Sequence, residues 1–197
     1  VTFARRADLM VVAPITADTI ARLALGRADD ALAATALATR APLLVAPAME
    51  PNMWSHSATQ AHVAVLRDRG VEFVGPEPGR MASGQQGLGR LSEPALILDT
   101  IRHRLARRFG NLVGRRVLVT AGPTREPLDP VRYLSNYSSG KMGLAVAMEA
   151  RNRGAEVDLV HGSLEIPAVA GVARFGVETA EEMCERVLQL LPRADVL

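Results

Sequence analysis

Positions 135–141 hold four small polar side chains and a lysine: Ser135, Asn136, Ser138, Ser139 and Lys141. Upstream, Val117 to Thr120 reads as a buried, β-branched strand that breaks at Gly122-Pro123. Downstream, Met142 to Asn152 has apolar residues at helical spacing. Strand, glycine turn and helix start form a cradle for phosphate, because free backbone N–H groups and the helix dipole converge on one spot. One of the four small polar side chains is expected to cap the helix. The others exceed what a cap needs and point to a ligand; a solvated loop with a serine cap is the alternative on composition alone. The loop is not a nucleoside-triphosphate P-loop, which needs glycine at 135 and Ser or Thr at 142, where Ser135 and Met142 stand. Lys141 is the only lysine among 23 basic residues, as expected where a compact ammonium is needed and a planar fork would not fit.

Three segments carry a resemblance: Ala121-Gly-Pro-Thr-Arg-Glu-Pro127, Asp129-Pro-Val-Arg-Tyr133 and Ser135-Asn-Tyr-Ser-Ser-Gly-Lys-Met-Gly143. They resemble the opening of the ligase half of the bifunctional coenzyme A biosynthesis flavoproteins. That family joins phosphopantothenoylcysteine decarboxylase to phosphopantothenate–cysteine ligase. The resemblance implies CTP-dependent ligation of 4′-phosphopantothenate with cysteine through an acyl-cytidylate. It implies that Asn136 orients that intermediate and that Gly122, Ser138, Ser139 and Lys141 face phosphates. Mg²⁺ would bridge the triphosphate, with no protein residue assigned as its ligand.

The rest of the chain must position these groups. Its 197 residues suffice for one large or two small domains. Hydrophobic content is 48% but aromatics only 4%, so the core is built from Ala, Val and Leu, which suits helices on a parallel sheet. Net charge is +2 with both signs interspersed, which argues against nucleic acid. No apolar run is long enough to span a bilayer. The first residues, Val1-Thr-Phe-Ala-Arg-Arg6, read neither as a signal peptide nor as a natural start. The single cysteine, Cys184, fits a cytoplasmic chain and reads as a small packed side chain of a helix.

Taken in order, strands are expected at 8–14, 42–46, 71–74, 117–120, 156–160 and 172–177, and helices at 16–25, 31–39, 57–69, 93–108, 142–152 and 180–191. Residues 75–89 read as a glycine-rich loop. Strands alternating with helices give an α/β fold: two three-layer units with parallel sheets. Residues 1–109 form the first unit, 110–114 a linker and 115–197 the second. By resemblance the first is flavodoxin-like, the second Rossmann-like, and both are incomplete.

Ala13-Pro-Ile-Thr-Ala-Asp-Thr-Ile-Ala-Arg22 resembles a segment of the decarboxylase half, which implies FMN held by Thr16 and Thr19 at a helix N-terminus. By the same resemblance Met49, Asn52 and Met53 contact substrate, and the protein is a homo-oligomer acting on small molecules. Two positions depart from the family. Glu50 stands where the family's Asn holds the substrate carboxylate, and would bring a like charge to it. Ser83 stands where the family's Cys donates a proton, and a hydroxyl is far less acidic than a thiol titrating near ~8.5. The family's catalytic His would precede Val1, and its further nucleotide-gripping residues would follow Leu197. An impaired decarboxylase half is therefore expected. Two other readings compete: a degenerate flavoprotein module serving assembly, and a dinucleotide-binding oxidoreductase. The latter rests on Gly87-Leu-Gly89 and the glycines at 140 and 143, which do not complete the spaced fingerprint.

Overall fold

The computed structural model describes residues 2–81, 84–163 and 169–197, the side chain of Phe3 excepted. Ser83 lies outside the described residues. The chain divides into two compact units, Val1–Ile101 and Arg102–Leu197.

Unit 1 is built on a parallel sheet ordered β1 (Met10–Ile15), β2 (Leu43–Pro47), β3 (Glu72–Phe73). The central strand is buried almost throughout, with Leu44, Val45 and Ala46 at 0% exposure, so it reads as a continuous apolar run. One face packs on α2 (Ala17–Leu25), α3 (Ala31–Ala38) and α5 (Ser57–Asp68), through Val12, Val45, Ile20, Leu23, Ala33 and Val63. The other carries Leu44, Ala46 and Val74 against Ile97 and Ile101 of α6 (Pro94–Phe109), within which the two units divide. A short helix α1 (Thr2–Arg6) packs on α3.

Unit 2 repeats the plan: β10 (Val172–Gly176), β9 (Glu156–His161), β6 (Arg116–Ala121), all parallel and in continuous register, Val117 opposite Val157 and Phe175 opposite Val160. Strand residues alternate faces. Val117, Val119, Val157 and Leu159 meet Ala147 and Ala150 of α7 (Lys141–Asn152), whereas Leu118 and Val160 meet Leu190 of α8 (Ala180–Leu190). A 3₁₀ turn, Leu191–Arg193, leads to Val196, which bridges Val117 beside β6. Residues 110–114 are a turn tied to this unit, the Leu112 amide donating to the Arg153 carbonyl at 2.9 Å. The α/β class and both parallel sheets are as expected from the alternation of strand and helix patterns.

Two local expectations are corrected, and one element not anticipated is added. Residues 75–89 are not an open loop: Glu77–Arg80 (β4) and Gln86–Arg90 (β5) pair as an antiparallel hairpin. Its glycines serve close approach: a Cβ at Gly89 would lie 2.1 Å from the Met49 carbonyl oxygen, and one at Gly87 2.6 Å from Pro51 Cγ. The stretch after Pro47 contains a short helix, α4 (Pro51–Ser55), started by Pro51 and anchored by buried Trp54. Cys184 is exposed rather than packed, because α8 turns Met183, Val187 and Leu190 toward the sheet and Cys184 away from it.

Candidate functional site

Each unit brings its polar motifs to the C-terminal edge of its sheet, where open parallel sheets receive ligands. In unit 2, β6 is followed by Gly122, whose φ of +83° turns the chain where an L side chain would be strained. The connection to α7 carries a small hairpin, β7 (Glu126–Pro127) with β8 (Tyr133–Leu134), closed by Asp129. The Asp129 carboxylate accepts from the amides of Val131 (2.9 Å) and Arg132 (2.7 Å) and from Arg132 Nε (2.6 Å). These bonds, the Val131 amide foremost, hold its pKa below the ordinary carboxylate value.

Gly140 begins α7 in the left-handed region (φ +66°), and no side chain caps the helix. The expected Ser or Asn cap is therefore absent, because those side chains serve the loop upstream. Ser135 Oγ donates to the Thr124 carbonyl (2.7 Å), Asn136 Oδ1 accepts from the Ser138 amide (2.9 Å), and Ser138 Oγ accepts from the Gly140 amide (3.4 Å). The first-turn amides of α7 are left for another acceptor. Gly143 lets this turn lie directly on β6: a Cβ there would sit 2.7 Å from the Thr120 carbonyl oxygen and 2.6 Å from Ala121 Cβ.

A cavity of about 680 Å³ opens over this turn, lined by Gly122, Ser138, Ser139, Lys141 and, on its apolar wall, Val146 and Val196. The four groups expected to face phosphate are thus brought together. Asn136 is not in the lining; its side chain points back into the loop. Lys141 is exposed and makes no ion pair among the described residues. A cation, unspent amides and the positive end of a helix dipole fit an anion of phosphate type.

In unit 1, β1 and β2 end side by side, Ile15 opposite Pro47 and the Ala48 amide donating to the Ile15 carbonyl at 3.1 Å. The segments that follow carry the two candidate motifs. Thr16 caps α2, its Oγ1 accepting from the Thr19 amide (3.4 Å) and lying 3.3 Å from Thr19 Oγ1. This hydroxyl pair on a helix start fits a phosphate or a flavin ring edge. Glu50 caps α4: its carboxylate accepts from the amides of Asn52 (2.9 Å) and Met53 (3.1 Å) and from Asn52 Nδ2 (3.0 Å). Both side chains of that pair are therefore engaged with each other. Met53 is half exposed beside them. Sequence reasoning did not anticipate buried Arg151, at 0% exposure, whose Nη1 donates to the Ala170 carbonyl (2.9 Å) and whose Nη2 donates to Asn152 Oδ1 (2.7 Å). Its one signal is an arginine on the apolar stripe of α7.

Fold and site together define a two-unit α/β protein with a cavity over an uncapped helix start. The chain belongs to the flavoprotein family, whose profile matches residues 1–106; that of the DNA/pantothenate metabolism flavoprotein C-terminal domain matches residues 112–197. It is 48% identical over 197 residues to the coenzyme A biosynthesis bifunctional protein CoaBC of Mycobacterium tuberculosis, covering 98% of this chain and 47% of that protein. The Escherichia coli protein of the same name is 48% identical over 177 residues, covering 90% and 43%. The chain thus spans about half the length of the curated relatives it matches. Among solved structures, a mutant PPC decarboxylase complexed with pantothenoylaminoethenethiol is 39% identical, covering 49% of this chain and 54% of its own, with a TM-score of 0.48.

Among the described residues no helix is long and apolar enough to cross a membrane, and no cluster of three His, Cys, Asp or Glu is placed to hold a metal.

Proposed function

We propose that the protein to which this chain belongs acts in coenzyme A biosynthesis. Unit 2 would bind CTP and 4′-phosphopantothenate, and unit 1 would belong to an FMN-dependent decarboxylase of 4′-phosphopantothenoylcysteine. The observation that carries the ligase reading is the uncapped start of α7, with Lys141 and Ser138–Ser139 around one cavity. In the ligation, a carboxylate oxygen of phosphopantothenate attacks the α-phosphorus of CTP and pyrophosphate leaves. The cysteine amine then attacks the acyl carbon and CMP leaves. Lys141 and the α7 amides would take the charge of the phosphates, which is largest as pyrophosphate departs. Asn136, released from the Ser138 amide, would orient the acyl-cytidylate. A Mg²⁺ ion would be held by the triphosphate.

In unit 1, Thr16, Thr19 and the first turn of α2 would hold the flavin. When bound, FMN supplies a hydride acceptor. Glu50 would slow decarboxylation by setting a carboxylate beside that of the substrate, and Ser83 by offering a weaker acid than a thiol. A purely ligating protein with a degenerate flavoprotein module is the second reading, favoured by the mutual engagement of Glu50 and Asn52.

The experiment is turnover of the full-length protein with CTP, phosphopantothenate and cysteine, followed by pyrophosphate release and mass spectrometry of the amide. The expected result is both products in the native protein, and pyrophosphate without amide in Asn136→Asp. Unchanged amide formation by Asn136→Asp removes its assigned role.

A further inference from the structure

The connection from Gly122 to Gly140 is long and contains only the two short strands β7 and β8. A connection of that length holds one geometry only where it is tied to the body of its unit. Three ties are present at its beginning. The Pro123 carbonyl oxygen fills the space of a side chain at Gly162, where a Cβ would lie 1.8 Å away. The Arg125 amide donates to the Glu178 carbonyl at 2.7 Å. Glu126 Oε1 accepts from the Ala180 amide, the first residue of α8, at 3.0 Å.

The last tie is additional to the cap that α8 already has within its own segment. Thr179 already caps the helix, its Oγ1 accepting from the Glu182 amide (3.2 Å), and Glu182 Oε2 accepts in return from the Glu178 amide (2.7 Å). These two bonds, one to the cap and one to the residue before it, secure the start of α8 within its own segment. The Glu126 contact therefore serves the loop more than the helix. From Glu126 the path to the cavity is short: Glu126 pairs with Leu134, Arg125 stacks on Tyr133 at 4.9 Å, and Ser135 bonds Thr124. Asn136 and Ser138 follow, already bonded to the backbone that leads into Gly140.

We propose that Glu126 is a positioning residue for the cradle at the start of α7, transmitting the fixed position of the α8 N-terminus through the β7–β8 hairpin to Ser138, Ser139 and Lys141. The proposal rests on the reading of that cradle as the nucleotide phosphate site. It separates two functions of one helix start: Thr179 stabilises α8, and Glu126 uses α8 as an anchor.

The test uses the full-length protein and CTP as probe. Glu126→Ala is expected to weaken CTP binding by about tenfold, since the loop must then be ordered at the moment of binding. Glu126→Gln, whose carbonyl can still accept from Ala180, is expected to restore most of that affinity. Thr179→Ala removes the helix cap and lowers the melting temperature, yet should leave the CTP affinity within about twofold, as expected when truncating a cap away from the ligand. In hydrogen exchange, the bonded amides of Ser138 and Gly140 should lose protection in Glu126→Ala and keep it in Thr179→Ala. Equal weakening of CTP binding by Thr179→Ala and Glu126→Ala would overturn the proposal, as would unchanged CTP affinity in Glu126→Ala. Should Glu126→Ala not fold, Glu126→Asp, one methylene shorter, carries the same comparison. If the native protein does not bind CTP, the nucleotide reading fails. The exchange pattern then decides the coupling alone: equal protection of the Ser138 and Gly140 amides in the two variants overturns it.

Discussion

The helix starts of the two units solve the same local problem in opposite ways. In unit 1, α2, α3 and α4 are each closed by their own chain, through Thr16, Asp30 and Glu50. In unit 2, α8 is closed by Thr179, but α7 begins at a left-handed glycine with no side-chain cap. A capped start contributes stability, typically about 1 kcal/mol. An uncapped one forgoes that contribution and keeps its amides for a ligand. That difference is the physical basis for proposing the start of α7 as the ligand site.

The largest effect is expected from Gly143→Val. Its side chain would collide with the Thr120 carbonyl and with Ala121, both fixed in β6. Displacing α7 should cost about 1–3 kcal/mol and abolish anion binding. Thermal melting with a phosphate-ligand titration measures both; native melting and binding would show that the turn can yield. Next comes Glu50→Ala, which strips the α4 cap and releases Asn52. A loss of about 1 kcal/mol in the stability of unit 1 is expected, with the cradle of unit 2 unaffected. Chemical denaturation followed at Trp54, buried in α4, reads this change.

A smaller effect concerns pH. Asp129 closes the β7–β8 turn, and its folded-state pKa lies below the ordinary value of 3.8. A depressed carboxylate contributes stability that is fully present above its unfolded pKa and is lost as pH falls through the folded one. The hairpin should therefore stay closed at neutral pH and open only below about pH 3.8. Asp129→Asn should loosen it at neutral pH, measured by exchange of the Val131 and Arg132 amides.

Much of the fold was legible because periodicity reports burial directly. β2 and β6 read as buried strands and 16–25 as a helix, and all three lie where expected. What was not legible depended on partners distant in sequence. The β4–β5 hairpin hid behind glycines that read as loop residues, though they are there so that Met49 and Pro51 can approach. α4 spans only Pro51–Ser55, too short to show a period. Gly122, Ser138, Ser139 and Lys141 line one cavity, but composition could not reveal whether any side chain would cap α7. Serines and asparagine were available, and the backbone of the loop claimed them first. Cys184 was misread because a helical pattern gives the stripe but not which residues border it.

The central claim is that the uncapped start of α7, with Lys141, holds the phosphates of a nucleotide. Its most direct test is CTP-dependent pyrophosphate release by the full-length protein, compared between the native chain and Lys141→Ala. Lys141 makes no ion pair among the described residues, so the melting temperature should be unchanged. Release should fall by roughly a hundredfold or more, the usual scale for removing a group that stabilises developing charge. Undiminished release by Lys141→Ala, or none from the native protein, would contradict the account.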